Sequence, residues 1–451
     1  MTRRMAGSLV VTLGWLATAA SAGQTPYVQT SVIEPVGGQG VLLGFCVPPC
    51  GGLVAITGMR EQFGPAPRRA GEDKANAHRV VWFDADGAEA RSVDLDFAAT
   101  VIAACPDGGI FVAGDGVVVL LSAAGKEVAR GATPQAVKTD EDRAELEKTV
   151  LERRDMQVAG YEKHIERLRA TVAELEENVK KAERAIAEEA NATPAEESNE
   201  KDPEADDKRA RELRKIQESR LRTARTQATR TSQQLKQMEA QAEAVQRQDP
   251  RLLVEQAIRR TRQVRAISAT RDAVFIVVAE SSGYGYSAWR LDPRLENPEK
   301  ILEKLVGCCS QMDVQVIGNR LAIAANRKHC VELCSFEGEA LGTVGKRAAA
   351  GDDGAGFGGC CNPMNTCPGP DGDLLTSESD GVVKRFDADG GFVEVVGKAA
   401  VRAGCKNSAI AIEPDGSRLY YMDSTSGKVL VLTRSEDHGN ADDGDAPNRK
   451  E

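Results

Sequence analysis

The chain has 451 residues, enough for one large domain or several, and its 58 basic against 68 acidic residues leave a net charge of −10. That balance argues for solubility and against a phosphate-binding surface, and an aromatic content of 4% leaves little for base stacking, so nucleic acid is excluded as a partner. Eleven cysteines, an odd number, predict disulfides in an oxidising compartment with at least one thiol left over.

The first 22 residues read as an export signal. Arg3-Arg4 supplies the charge, residues 9–20 a short apolar core, and Ala20-Ser21-Ala22 a small-residue cleavage site, so the mature chain is expected to begin near Gly23. Thr2-Arg3-Arg4 also resembles a twin-arginine signal, although Met5-Ala6-Gly7 departs from its usual apolar continuation. The apolar run is too short to span a bilayer and no later stretch is long enough, which predicts a periplasmic or secreted protein without a transmembrane segment.

Residues 23–135 and 251–434 are rich in glycine and β-branched residues, with turn signals at regular intervals. The segment between them, 136–250, has a different composition, dominated by Glu, Lys, Arg, Ala and Gln. Its apolar residues recur at alternating spacings of three and four: Leu151, Val158, Tyr161, Ile165, Leu168, Val172, Leu175, Val179, Ala182 and Ile186. This is a heptad seam, interrupted at Arg154 between Leu151 and Val158. A polar break over 191–207 contains Pro194 and Pro203. A second stripe follows through Leu221, Ala224, Ala228, Thr231, Leu235, Met238, Ala242 and Val245, predicting an antiparallel α-helical coiled-coil hairpin. The polar tail, 435–451, predicts disorder.

The flanks carry an internal repeat. Its clearest copy, 357–397, reads as four short strands with Asn362-Pro363 at the start, a Pro370-Asp371-Gly372 turn, Arg385-Phe386-Asp387 on the third strand and a closing Val396-Gly397. This resembles an NHL repeat, one blade of a β-propeller. Weaker copies cover 36–95, 97–131, 258–305, 307–346 and 404–434. The resemblance implies an all-β six-bladed β-propeller (NHL-like or TolB-like), with residues 28–33 left to close the ring beside the last blade. The hairpin is then an insertion between blades two and three, an arm for a protein partner or for self-association.

Cysteines recur within the repeats. Cys309 precedes Gly318-Asn319, Cys361 precedes Asp371-Gly372, and Cys405 precedes Asp415-Gly416, each by about ten residues, and two are doubled as Cys308-Cys309 and Cys360-Cys361. In NHL-like blades the loop before the innermost strand lies at one mouth of the central channel. The resemblance therefore gathers Cys308, Cys309, Cys360, Cys361 and Cys405 there. Converging thiolates hold zinc, copper or an iron–sulfur cluster. In an oxidising compartment the same residues form vicinal or loop-to-loop disulfides instead. Both readings stay open. Cys46 and Cys367 occupy equivalent places four residues before their turns, where small buried packing is the expected role. His329 adjoins Cys330 and is expected on an outer-strand surface, with ligation as the alternative.

No G-x-S-x-G elbow, H-E-x-x-H, P-loop or c-type haem motif occurs. Three functions remain. The first is an exported binding or scaffold protein with a cysteine-lined mouth. The second is a periplasmic redox protein with an iron–sulfur or copper centre. The third, a propeller-type hydrolase or lyase, rests on fold analogy.

Overall fold

The computed structural model describes residues 25–34, 41–58, 78–84, 86–191, 203–281, 285–308, 311–349, 354–402, 404 and 408–435. The predicted signal and tail lie outside these residues, as do Cys309 and Cys405. Two compact units divide the chain. One comprises Met1–Ala132, Val264–Val277 and Tyr286–Glu451, and the other Thr133–Gln263 and Val278–Gly285.

The first unit is built from short strands. After β1 (Tyr27–Ile33) come β2 (Val41–Cys46), β3 (Val54–Gly58), β4 (His78–Phe83) and β5 (Glu89–Leu95), then β6 (Val101–Ala104), β7 (Ile110–Gly114), β8 (Val117–Leu121) and β9 (Glu127–Ala132). The strands resume with β10 (Val264–Ala269), β11 (Val274–Ala279), β12 (Tyr286–Leu291) and β13 (Glu299–Leu305), followed by β14 (Val314–Ile317), β15 (Arg320–Ala325), β16 (Cys330–Cys334) and β17 (Ala340–Val344). Each of these four runs forms one four-stranded antiparallel sheet in sequence order. A two-stranded ribbon of β18 (Lys346–Arg347) and β19 (Gly356–Phe357) precedes β20 (Asn365–Pro368), β21 (Leu374–Ser377), β22 (Val382–Phe386) and β23 (Phe392–Lys398). Last are β24 (Ile410–Ile412), β25 (Arg418–Asp423) and β26 (Lys428–Arg434). These join with β1 in the order β20-β21-β22-β23-β1-β26-β25-β24.

The first strands of successive sheets adjoin: β2 beside β6, β6 beside β10, β10 beside β14, β14 beside β20, and β20 beside β24. The circuit returns to its start. Ala411, Tyr420, Met422, Val429 and Val431 of the last sheet share a core with Leu42, Phe45, Leu53, Ala55, Val81 and Phe83 of the first. Across the same seam the Glu413 carboxylate accepts from the Gly52 amide at 3.2 Å, and within the last sheet it accepts from the Tyr420 hydroxyl at 2.7 Å. Repeated meanders with their first strands gathered together form a β-propeller, which protects its sheet edges by repetition.

Burial explains the composition of the strands. A strand between two neighbouring sheets is covered on both faces, so β11 is buried at every position and so is β7. Such strands read as continuous apolar runs. Fourth strands lie at the rim, and β5 and β9 have no buried position. The wholly buried side chains include Tyr421, Phe111, Phe275, Phe357 and Phe386, each contributing about 1.5–3 kcal/mol through burial. The N-terminal strand β1 runs antiparallel to β26, with Tyr27 opposite Arg434 and Ile33 opposite Val429.

The second unit contains α1 (Asp140–Asn191) and α2 (Pro203–Gln246), which pack as a hairpin. A capping box starts α1. The Thr139 hydroxyl accepts from the Asp142 amide at 3.1 Å, and the Asp142 carboxylate accepts from the Lys138 and Thr139 amides. The seam follows the predicted stripe, but a two-helix pair covers it only partly. Ile165, Ala242 and Val245 are buried, while Leu168, Val172, Leu175 and Leu235 are half-buried. Arg–Glu pairs lace its flanks, Arg169 to Glu239 and Arg225 to Glu183, both at 2.7 Å.

Two boundaries differ from the sequence reading. The predicted break extends to residue 207, but α2 begins at Pro203, because proline is tolerated in the first helical turn. Residues 251–261, read as the entry to the second sheet region, belong to a helix, α3 (Pro250–Thr261). Asp249 caps it by accepting from the Arg251 amide at 2.9 Å, and Val254, Ala257 and Ile258 pack on Leu146. The Asp-Pro pair reads equally as a turn, which hid this start.

Candidate thiol site

Two segments meet at one end of the sheets. The first, after β13, carries Cys308 into β14, and the second, after β19, carries Cys360 and Cys361 into β20. The sulfur of Cys361 lies 3.0 Å from that of Cys308 and 3.1 Å from that of Cys360. These separations exceed a disulfide bond of about 2.05 Å. Cys361 is buried, Cys308 half-buried and Cys360 exposed, so the cluster has one open side.

Polar side chains fix both segments from behind. The Cys308 amide donates to Asn326 Oδ1 at 2.7 Å, and Asn326 Nδ2 donates to the Gln311 carbonyl at 3.2 Å. In the second segment Gly359 takes a positive φ of 68°, which turns the chain into Cys360. Asn362 Nδ2 donates to the Gly358 carbonyl at 2.8 Å and to Glu378 Oε2 at 2.9 Å, and its Oδ1 accepts from the Ser379 amide at 2.8 Å. Glu378 also accepts from the Gly358 amide at 3.1 Å and is neutralised by Lys384, whose Nζ donates to the Gly356 carbonyl as well. Both charged side chains are 7% exposed. Removed from water, this pair persists because its remaining hydrogen-bonding capacity is used. Asn362-Pro363 is a cis peptide.

Gln311 ties neighbouring sheets together. Its side-chain amide donates to the Met364 carbonyl at 2.7 Å and to the Ser408 carbonyl at 3.2 Å, linking the approaches to β14, β20 and β24. Two donated bonds fix the amide orientation and leave Oε1 buried without a partner. Beside it, Asp313 accepts from the Thr366 amide at 2.7 Å, the Thr366 hydroxyl at 2.9 Å and Gln315 Nε2 at 3.0 Å. Burial pushes its pKa up, opposed by those donors.

The other predicted residues lie apart from the cluster. Cys46 ends β2 in a core shared with the β6–β9 sheet, and Cys367 sits on β20 in a core shared with the last sheet. Burial raises both thiol pKa values, Cys367 to about 12, so both stay protonated and serve packing. Cys46, Cys50, Cys105, Cys330, Cys334 and Cys367 carry free thiols. His329 is corrected from a surface position: it is 8% exposed in the turn between β15 and β16, at φ 57°, with Nδ1 unpartnered. Among the described residues, no three His, Cys, Asp or Glu side chains are arranged to hold a metal ion.

Sequence reasoning missed Gln311, Asn326, Glu378 and Lys384. Lys384 had a signal, a lysine at an inward position in the apolar run of β22. Gln311 had none, because its partners lie 53 and 97 residues away.

No protein-family model matches this chain, and no curated protein matches it. Solved structures give faint likenesses. The β-propeller domain of Cps50 (Swd1) from Myceliophthora thermophila is 11% identical, with a TM-score of 0.38 over 91% of this chain and 100% of that one. Regucalcin, a calcium-binding protein from Agrobacterium tumefaciens, is 11% identical, with a TM-score of 0.41 over 91% and 96%. A protein of unknown function from Bacteroides thetaiotaomicron is 9% identical, with a TM-score of 0.45 over 91% and 75%. Likeness at this level carries nothing about ligand or reaction, and the propeller architecture rests on the strand order of this chain.

Proposed function

We propose that this chain is an exported binding or scaffold protein of the NHL type, a six-bladed propeller whose cysteine-bearing loops hold a thiophilic group. Its helical hairpin is the arm that docks a protein partner or a second copy. The observation that carries the reading is the meeting of the Cys308, Cys360 and Cys361 sulfurs from two successive sheets, at 3.0 and 3.1 Å. Thiolates are soft donors that favour copper, zinc or an iron–sulfur cluster. Cys309 and Cys405 are the further ligands that the repeat register supplies. Thiolates on zinc stand roughly 3.8 Å apart, the edge of a tetrahedron with bonds of about 2.3 Å. Seating a metal therefore calls for the sulfurs to spread.

That closeness favours a second reading, a redox pair. Oxidation would join Cys361 Sγ to Cys308 Sγ or to Cys360 Sγ. Two thiols would give up two electrons and two protons to a substrate disulfide, which would leave as two thiols.

The test is metal content and thiol count on mature protein purified without oxygen, for the native chain and for Cys361→Ser. A stoichiometric metal lost in Cys361→Ser is the expected result, and metal retained in that variant would sink the metal site. No metal, with two thiols lost reversibly on treatment with a small disulfide, would move the assignment to the redox pair. A hydrolase or lyase reading has only fold analogy behind it.

A further inference from the structure

The helical unit holds a cavity of about 240 Å³ between α1 and α3. Val150, Leu253 and Ala257 form its apolar wall, and Arg153, Arg154 and Arg260 supply three guanidinium groups. No carboxylate lines it, in a chain with net charge −10.

Some arginines of this unit are matched to glutamates, Arg143 to Glu255, Arg169 to Glu239, Arg225 to Glu183 and Arg247 to Glu243. At the cavity only Arg154 is matched, to Asp155 at 2.9 Å, and Asp155 is outside the lining. The guanidiniums of Arg153 and Arg260 make no ion pair or hydrogen bond among the described residues. Charge held there repels the neighbouring arginines unless an anion arrives.

We infer that this cavity binds a small organic oxyanion, a carboxylate or phosphate group on a short apolar body. A guanidinium presents its donors in a planar fork that matches either head group with paired hydrogen bonds. The apolar wall takes the attached carbons. The volume falls below the roughly 300–1,000 Å³ of pockets that enclose drug-sized ligands, which suits a small acid or phosphate ester better than a nucleotide. The positive cluster also draws anions locally against the overall charge.

The experiment is isothermal titration calorimetry of the full mature chain at low ionic strength, with inorganic phosphate and with succinate as separate probes. Saturable binding of either probe at one site per chain is expected, and the probe that binds identifies the head group. The double variant Arg153→Gln/Arg260→Gln should weaken it at least tenfold. Arg169→Gln/Arg225→Gln, which removes the same charge from the hairpin flanks, should leave it unchanged. Arg153→Lys, which keeps the charge but loses the fork, should fall between. Absence of saturable binding by both probes overturns the inference, as does an equal loss in the hairpin control.

Discussion

Both units carry exposed ion pairs, but among the described residues the propeller alone buries one. The propeller buries Glu378 and Lys384 together behind the Cys360-Cys361 segment, each 7% exposed. The hairpin keeps its pairs in water, where Arg169 and Glu239 are 64% and 39% exposed. Buried charges held by several partners specify one geometry, whereas exposed pairs tune a surface and are screened by salt. The unit that must hold a loop in place carries the first kind. The second kind laces the hairpin and also the propeller's outer strands.

Substitution at the buried pair should have the largest effect. Lys384→Ala leaves Glu378 buried without its counter-charge and should cost about 3–5 kcal/mol. Urea denaturation followed by the fluorescence of Trp82 and Trp289, both on propeller strands, measures it. A loss under about 1 kcal/mol would erase the contrast between the units.

Next comes Gln311→Ala, which strips the Met364 and Ser408 carbonyls of their donor and should cost about 1–3 kcal/mol. If Gln311 holds the thiol segments in register, the same variant should speed alkylation of Cys361 under native conditions. Unchanged alkylation would reduce Gln311 to a stability element.

Alkali sharpens the comparison from another side. In the unfolded chain the Cys367 thiol ionises near its ordinary 9.0, but burial holds it protonated to about 12 in the fold. The folded pKa is the higher one, so this contribution is complete below pH 9 and is lost as pH rises through 12, at about 1.4 kcal/mol per pH unit. Cys367→Ala should flatten that slope in a pH series of urea midpoints. An equal slope in both proteins would place the alkaline sensitivity elsewhere.

The smallest effect belongs to the hairpin. Arg169→Ala or Glu239→Ala should change stability by about 0.2–1 kcal/mol, and less in high salt. Helix content monitored by circular dichroism during melting is the readout. A loss of several kcal/mol would mean that the seam depends on its ionic flank rather than on Ile165, Ala242 and Val245.

Periodic features were legible in the sequence. The third strand of the clearest repeat, 382–386, coincides with β22, and the heptad residues are those the hairpin covers. The doubling of cysteines in two copies of the repeat was visible too, and the Cys308, Cys360 and Cys361 sulfurs lie together. Non-periodic features stayed hidden. Gln311 reaches two carbonyls in other repeats, and no local pattern encodes such a bond. His329 was read as an outer-strand surface residue, but it lies in the turn between β15 and β16 at φ 57°, with its side chain buried. The start of α3 was lost because an Asp-Pro pair opens a helix and marks a turn with the same two letters.

The antiparallel pairing of β1 with β26 makes neighbours of Pro26 and Ser435. The Ser435 amide donates to the Pro26 carbonyl at 2.8 Å, so a peptide linker of a few residues can span the gap. The order of synthesis is then separable from the shape. In the natural order β1 is made long before β26, and a chain halted before Lys428 is left with β1 unpaired along that edge. A circular permutant joined at Pro26 and Ser435 and reopened at the Gly318-Asn319 turn would make β26, linker and β1 consecutively. It should complete that sheet early and turn the exposed edge from a hazard of late synthesis into a local hairpin.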